Sequence, residues 1–99
     1  MKLITAVIRP FIIDRLVVAL EDIEKFPGIT ISDAEGFGRS LKHARTDILN
    51  PFRQVKRIEI AAPDEMVEQI VEAILAHAHT GKLGDGIIFV LPVEGSMLI

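Results

Sequence analysis

The sequence predicts an α+β sandwich of order β-α-β-β-α-β. Three observations lead there. Four apolar or alternating stretches have strand periodicity, two longer stretches have helical periodicity, and Pro or Gly punctuates the junctions. At 99 residues the chain has room for one domain, residues 1–99, with a single core.

The elements follow in order. Lys2 to Arg9 is apolar and β-branched enough for a buried strand, and Pro10 ends it. Asp14 is placed to cap a helix in which Leu16, Val17, Leu20 and Ile23 recur at helical spacing. Pro27-Gly28 is expected to stop that helix. Ile29, Ile31 and Ala34 alternate with Thr30 and Asp33 in a second strand, which Gly36-Phe37-Gly38 closes. Gln54 to Ala62 alternates, with Ile58 and Ile60 on one face and Arg57 and Glu59 on the other. Pro63-Asp64 is a helix start, with Glu65 and Glu68 near the positive end of the dipole. Met66, Val67, Ile70, Val71, Ile74, Leu75 and Ala78 form its expected apolar face. Ile87 to Val93 reads as the last strand. Two crossover helices around one antiparallel pair give the ferredoxin-like arrangement, a four-stranded antiparallel sheet with both helices on one face. The opposite face then carries apolar side chains, and self-association is the economical way to cover them.

Composition excludes several classes. About half the residues are apolar and the formal net charge is −3, so no global basic field invites nucleic acid. There is no cysteine, hence no disulfide framework, thiolate metal site or thiol nucleophile. No apolar run reaches the length of a membrane span, and the cytoplasm is the expected compartment. Ser32, Ser40 and Ser96 lack a nucleophile-elbow context. Glu21-Asp22 and Asp64-Glu65 lie at helix positions where solvation or capping accounts for them, so the sequence reads as a binding protein and not an enzyme.

Two connections are unusual. Thr80 to Val90 reads T-G-K-L-G-D-G-I-I-F-V, a glycine-rich turn whose N–H groups can approach an oxyanion, with Lys82 adding charge and Asp85 an acceptor or a metal-facing carboxylate. A plain helix-to-strand turn fits the same spacing. Gly36 to Arg53 joins two antiparallel strands that need only about two to five linking residues. It carries Arg39, Lys42, Arg45 and Arg53 against Asp47, with apolar Ile48, Leu49 and Phe52. Its length argues for an arm that docks on a partner or closes over a ligand. His43 lies in this arm, and His77 and His79 end the second helix. Residues two apart point to opposite sides of a helix, so His77 and His79 form no bidentate site, and a metal is left open.

These stretches together resemble the PII family of nitrogen-regulatory signalling proteins. The resemblance rests on Met1 to Ile4 through Arg9-Pro10-Phe11, Gly36-Phe37-Gly38-Arg39, Ile58-Glu59-Ile60 with Pro63-Asp64, and Thr80 to Gly86 with Ile88-Phe89-Val90, in the family's order over nearly the whole chain. It implies a homotrimer that holds a small effector, an adenine nucleotide, between subunits. It also implies that the long arm, the T-loop, regulates a membrane transporter or enzyme. By that resemblance Gly84, Asp85 and Gly86 with Lys82 match the phosphate loop. Gly36, Phe37, Gly38 and Arg39 match the T-loop base, and Val7 and Thr30 the adenine pocket. Lys42, His43, Arg45, Ile48, Leu49, Phe52 and Arg53 would face the partner.

The departures are specific. Ile87 stands where a basic residue usually follows Gly-Asp-Gly, and Ser40 stands where glutamine helps hold magnesium and 2-oxoglutarate. The arm contains no tyrosine for uridylylation, and Leu91 to Ile99 carries none of the arginines that reach a neighbour's phosphates. ADP, AMP or ATP therefore stays open as effector, with triphosphate binding weakened, and 2-oxoglutarate with magnesium is not expected. The short arm also resembles the branch associated with heavy-metal efflux, which makes a metal-responsive binding protein the alternative, with His43, His77 and His79 as its candidate ligands. A Gly86→Trp substitution is the expected way to block the nucleotide site.

Overall fold

A computed structural model of the protein describes residues 1–37, 52–82 and 85–99. The elements are β1 (Lys2–Ile8), a 3-10 turn (Pro10–Ile12), α1 (Ile13–Glu21), β2 (Thr30–Gly36), β3 (Arg53–Ala62), α2 (Asp64–Ala78) and β4 (Gly86–Pro92). The strands form one antiparallel sheet in the order β2-β3-β1-β4. This is the ferredoxin-like α+β sandwich, with β1 and β3 at the centre.

Register decides which face each side chain takes. Ile4 pairs with Ile60 and Val90, and Ala6 with Ile58 and Ile88. Those residues share the helix side of the sheet, because strand side chains alternate with period two. Ile4, Ala6, Ile8, Ile58, Ile60 and Ala62 are buried there against Ile12, Leu16 and Leu20 from one helical segment and Ile70, Ile74 and Ala78 from the other. This packing of isoleucine and leucine is the main apolar driving force for the fold.

Several local expectations change. Asp14 does not cap α1. The chain turns earlier, with Pro10 opening the 3-10 turn, and Asp14 falls in the first turn of a helix that has no side-chain cap. There it still faces the positive end of the helix dipole. The helix ends at Glu21, before Pro27-Gly28 is reached. Bonds from Ile23 N–H to Leu20 O (3.0 Å) and from Phe26 N–H to Ile23 O (3.1 Å) unwind it, and Lys25 takes φ 62°. β2 starts at Thr30 and is largely exposed, Ile31 included, because it is an edge strand beyond the reach of the helices. β3 and β4 each begin one residue before their expected starts, and β4 ends at Pro92. Leu75 does not join the core: it is 54% exposed, over a groove between α2 and β4 that Val71 and Val90 also line.

Among the described residues no helix lies over the other face of the sheet. Ile87, Phe89 and Leu91 of β4 point that way and are 52%, 52% and 42% exposed. They lie in register with Val7, Thr5 and Leu3 of β1. Arg57 and Glu59 follow on β3, 3.9 Å apart.

Candidate functional site

The glycine segment after α2 is shaped by one carboxylate. The helix closes with the His79 N–H donating to Leu75 O at 3.2 Å. The chain then turns so that Thr80 N–H donates to Asp85 Oδ2 at 2.6 Å and Gly81 N–H to the same oxygen at 3.1 Å. The Thr80 hydroxyl donates to Asp85 Oδ1, and Arg9 Nε donates to Oδ1 at 3.0 Å. His79 Nδ1 lies 3.5 Å from Oδ2. Gly81 sits at φ 84°, a region open to glycine and strained for other residues. The Arg9–Asp85 contact follows from sheet register. Ile8 pairs with Gly86, so the residue after β1 and the residue before β4 are next in line.

Asp85 is 13% exposed and Arg9 is 19% exposed. The Thr80 hydroxyl, the Thr80 N–H and the Arg9 guanidinium hold the Asp85 carboxyl well below the usual carboxylate range, against the opposing effect of burial. The carboxylate is therefore ionised at neutral pH, with its oxygens engaged by the protein's own donors.

A cavity of about 350 Å³ opens beside this segment, at the end of β1 between the end of β2 and the start of β4. Val7, Gly36, Phe37, Asp85 and Gly86, all predicted site residues, line it together. Arg53, assigned to the partner-facing arm, belongs instead to β3 and lines the same cavity. Gly36 and Arg53 are register partners, so both ends of the arm are strand residues. The Phe37 and Phe52 rings meet across its base at 5.6 Å between centroids and 51° between planes. Arg9, Val55 and Ile87 also line the cavity. Only the pairing of β1 with β3 and β4 could have added Arg9 and Val55.

Other predicted residues fall elsewhere. Thr30 starts β2 opposite Glu59 and is not in the cavity wall, and Lys82 is exposed in the glycine turn. His77 lies in the last turn of α2, where its carbonyl accepts from Arg15 Nη2 at 3.1 Å. Among the described residues no group of three His, Asp or Glu side chains could hold a metal ion. Gly38, Arg39, Lys42, His43, Arg45, Ile48, Leu49 and Gly84 lie outside the described residues.

Gly86 is fixed by the sheet. At φ 144° a Cβ would overlap Val7 O and lie 3.1 Å from the Val7 carbonyl carbon and 3.3 Å from Ile8 Cα. A tryptophan there would break the β1–β4 pairing before it could report on a ligand, so Gly86→Trp is not a clean block of the cavity.

Comparison with known proteins supplies the context for this arrangement. The family model described as "Nitrogen regulatory protein P-II" matches residues 1–99. The chain is 42% identical to the nitrogen regulatory protein P-II of Azospirillum brasilense, over 95% of this chain and 87% of that protein. It is 41% identical to that of Haemophilus influenzae, over 100% and 91%. It is 38% identical to that of Nostoc punctiforme, over 95% and 87%.

Proposed function

The chain belongs to the nitrogen regulatory protein P-II family, and on that premise we propose that it is a regulatory homotrimer that binds an adenine nucleotide between subunits. The observation that carries this reading is the cavity in which Val7, Gly36, Phe37, Asp85 and Gly86 converge. An apolar wall for a base and a glycine segment for phosphate then share one mouth. The exposed Ile87, Phe89 and Leu91 support assembly, because a monomer of this size gains by burying such a face against copies of itself. Phe37 and Phe52 at the base of the arm link the cavity to the segment that would dock on a regulated transporter or enzyme.

The protein acts by binding, in the cytoplasm, and not by catalysis. No helix among the described residues is long and apolar enough to cross a membrane. With Ile87 in the place of a basic residue, the cavity offers a phosphate fewer charged donors. Each charge-assisted contact contributes about 1.5–3 kcal/mol, so ADP or AMP should compete well with ATP. For the metal-responsive alternative, no group of three His, Asp or Glu side chains that could hold a metal is present among the described residues. Titration calorimetry with ATP, ADP and AMP tests the site. Saturable binding of at least one supports it, and no heat from any of them at about millimolar concentration refutes it.

A further inference from the structure

The sheet ends in a step. Ile8, the last residue of β1, pairs with Lys56 on one side and with Gly86 on the other. The β2–β3 ladder continues past that level, to Gly36 opposite Arg53. The cavity lies in this step, and Arg53 lines it from the projecting end of β3. Strand alternation puts Arg53 and Val55 on one face of β3, together with Arg57. Arg57 pairs with Val7, and Val7 with Ile87, so Arg53 shares the face of Val55, Val7 and Ile87. Its cross-strand partner Gly36 sets no side chain against the arginine stem.

The charged residues among those that line the cavity are Arg9, Arg53 and Asp85, two guanidiniums and one carboxylate. Arg9 Nε and Asp85 Oδ1 meet at 3.0 Å and offset one another. One positive charge is left over, and it corresponds to Arg53.

We propose that Arg53 is a specificity-determining residue of the cavity, the guanidinium that contacts the phosphate of a nucleoside mono- or diphosphate. The nucleoside part of this statement rests on the adenine-nucleotide reading above. The preference for an anion does not.

The chemistry of the wall supports the assignment. Val7, Ile8, Phe37, Val55 and Ile87 make most of it apolar, and a charge beside apolar groups is less screened than one in open water. Ile87 brings no charge of its own. Arg9 is held by Asp85, whose carboxylate also takes N–H donors from Thr80 and Gly81. Arginine carries five N–H donors in a planar fork, so contacts within the protein leave donors for a ligand oxygen. The fork matches two phosphate oxygens at once, which a lysine cannot do. One surplus charge compensates a short phosphate chain better than a triphosphate.

The test compares wild type, Arg53→Gln and Arg53→Lys by titration calorimetry with adenosine, AMP and ADP. Wild type should prefer AMP and ADP to adenosine. Arg53→Gln should lower that preference by about tenfold or more, and Arg53→Lys should recover part of it by keeping the charge. Added salt should weaken AMP binding more in wild type than in Arg53→Gln. An AMP-over-adenosine preference within about twofold of wild type in Arg53→Gln overturns the proposal. So does an equal loss for adenosine and AMP, which marks a structural role. Far-UV circular dichroism checks that each variant is folded. If wild type binds no adenine compound, the functional reading fails, and pyrophosphate then decides the anion role. Saturable shifts of the Gly36, Phe37 and Gly86 amide resonances in wild type, weakened in both variants and most in Arg53→Gln, sustain it. No shift in wild type, or equal shifts in all three proteins, overturns it.

Discussion

Replacing Gly86 by alanine tests whether the glycine loop ends where it does because of the sheet and not because of a ligand. Gly86 opens β4 opposite Ile8. An added methyl group would overlap Val7 O and crowd the Val7 carbonyl carbon at 3.1 Å and Ile8 Cα at 3.3 Å. All three are backbone atoms of the central strand β1, so no side chain can swing aside. Overpacking of this kind costs about 1–3 kcal/mol. A non-glycine residue held at φ 144° adds about 1–3 kcal/mol of strain. The sum, about 2–6 kcal/mol, is a large part of the roughly 5–15 kcal/mol that holds a domain folded. With a urea slope of about 1–3 kcal/mol per molar, the midpoint should fall by about 0.7 M or more. Gly81→Ala is the control. Gly81 is also at positive φ, 84°, but a Cβ there meets nothing within 4 Å, so only strain applies. Urea unfolding followed by circular dichroism, at one fixed protomer concentration, measures both. Equal midpoints for the two variants, or a Gly86→Ala unfolding free energy within about 0.5 kcal/mol of wild type, would refute the steric reasoning.

Three further outcomes are expected. Asp85 has its carboxyl pKa depressed below the ordinary 3.8, so the unfolded chain takes up a proton first as pH falls. The stability it contributes is complete above that value and drains away as pH drops below it. Asp85→Asn should flatten this part of the acid-unfolding curve, and an unchanged curve would argue against the Arg9 and Thr80 bonds. Phe89→Glu puts a charge on the sheet face opposite the core, midway along the edge strand β4, and should convert the proposed trimer to monomer by size exclusion with light scattering. A wild-type monomer at all concentrations would remove the assembly proposal. Ile74→Ala should cost about 2–5 kcal/mol, because Ile74 is fully buried. Leu75→Ala, its exposed neighbour, should stay within about 0.5 kcal/mol of wild type in the same urea assay.

The β-α-β-β-α-β order was legible because strand and helix leave different periods in the sequence. Ile58 and Ile60 against Arg57 and Glu59 show it in β3, and Ile70 and Ile74 show it in α2. Helix limits were less legible. Asp14 looks like a cap, but Pro10 starts the turn sooner, and nothing local marks the end at Glu21. Leu75 fits the apolar period of α2, but its exposure depends on the gap between that helix and β4, which no local pattern encodes.

The site divides along the same line. Gly81 and Gly86 mark the unusual turn in the sequence, because glycine suits positive φ and close backbone approach, and Asp85 between them marks an acceptor. The family, too, was readable from motif order alone. Pairing across the sheet decided the rest. It brought Arg9 to Asp85 across 76 residues, moved Arg53 from the arm into the cavity wall, and turned Gly86 into a steric requirement of β1. The sequence by itself determined the order of elements and the chemistry available at each turn, since both depend on neighbours within a few positions. Which carboxylate meets which guanidinium, and which side of the sheet stays uncovered, was decided only by strand register, a property of residues distant in the chain.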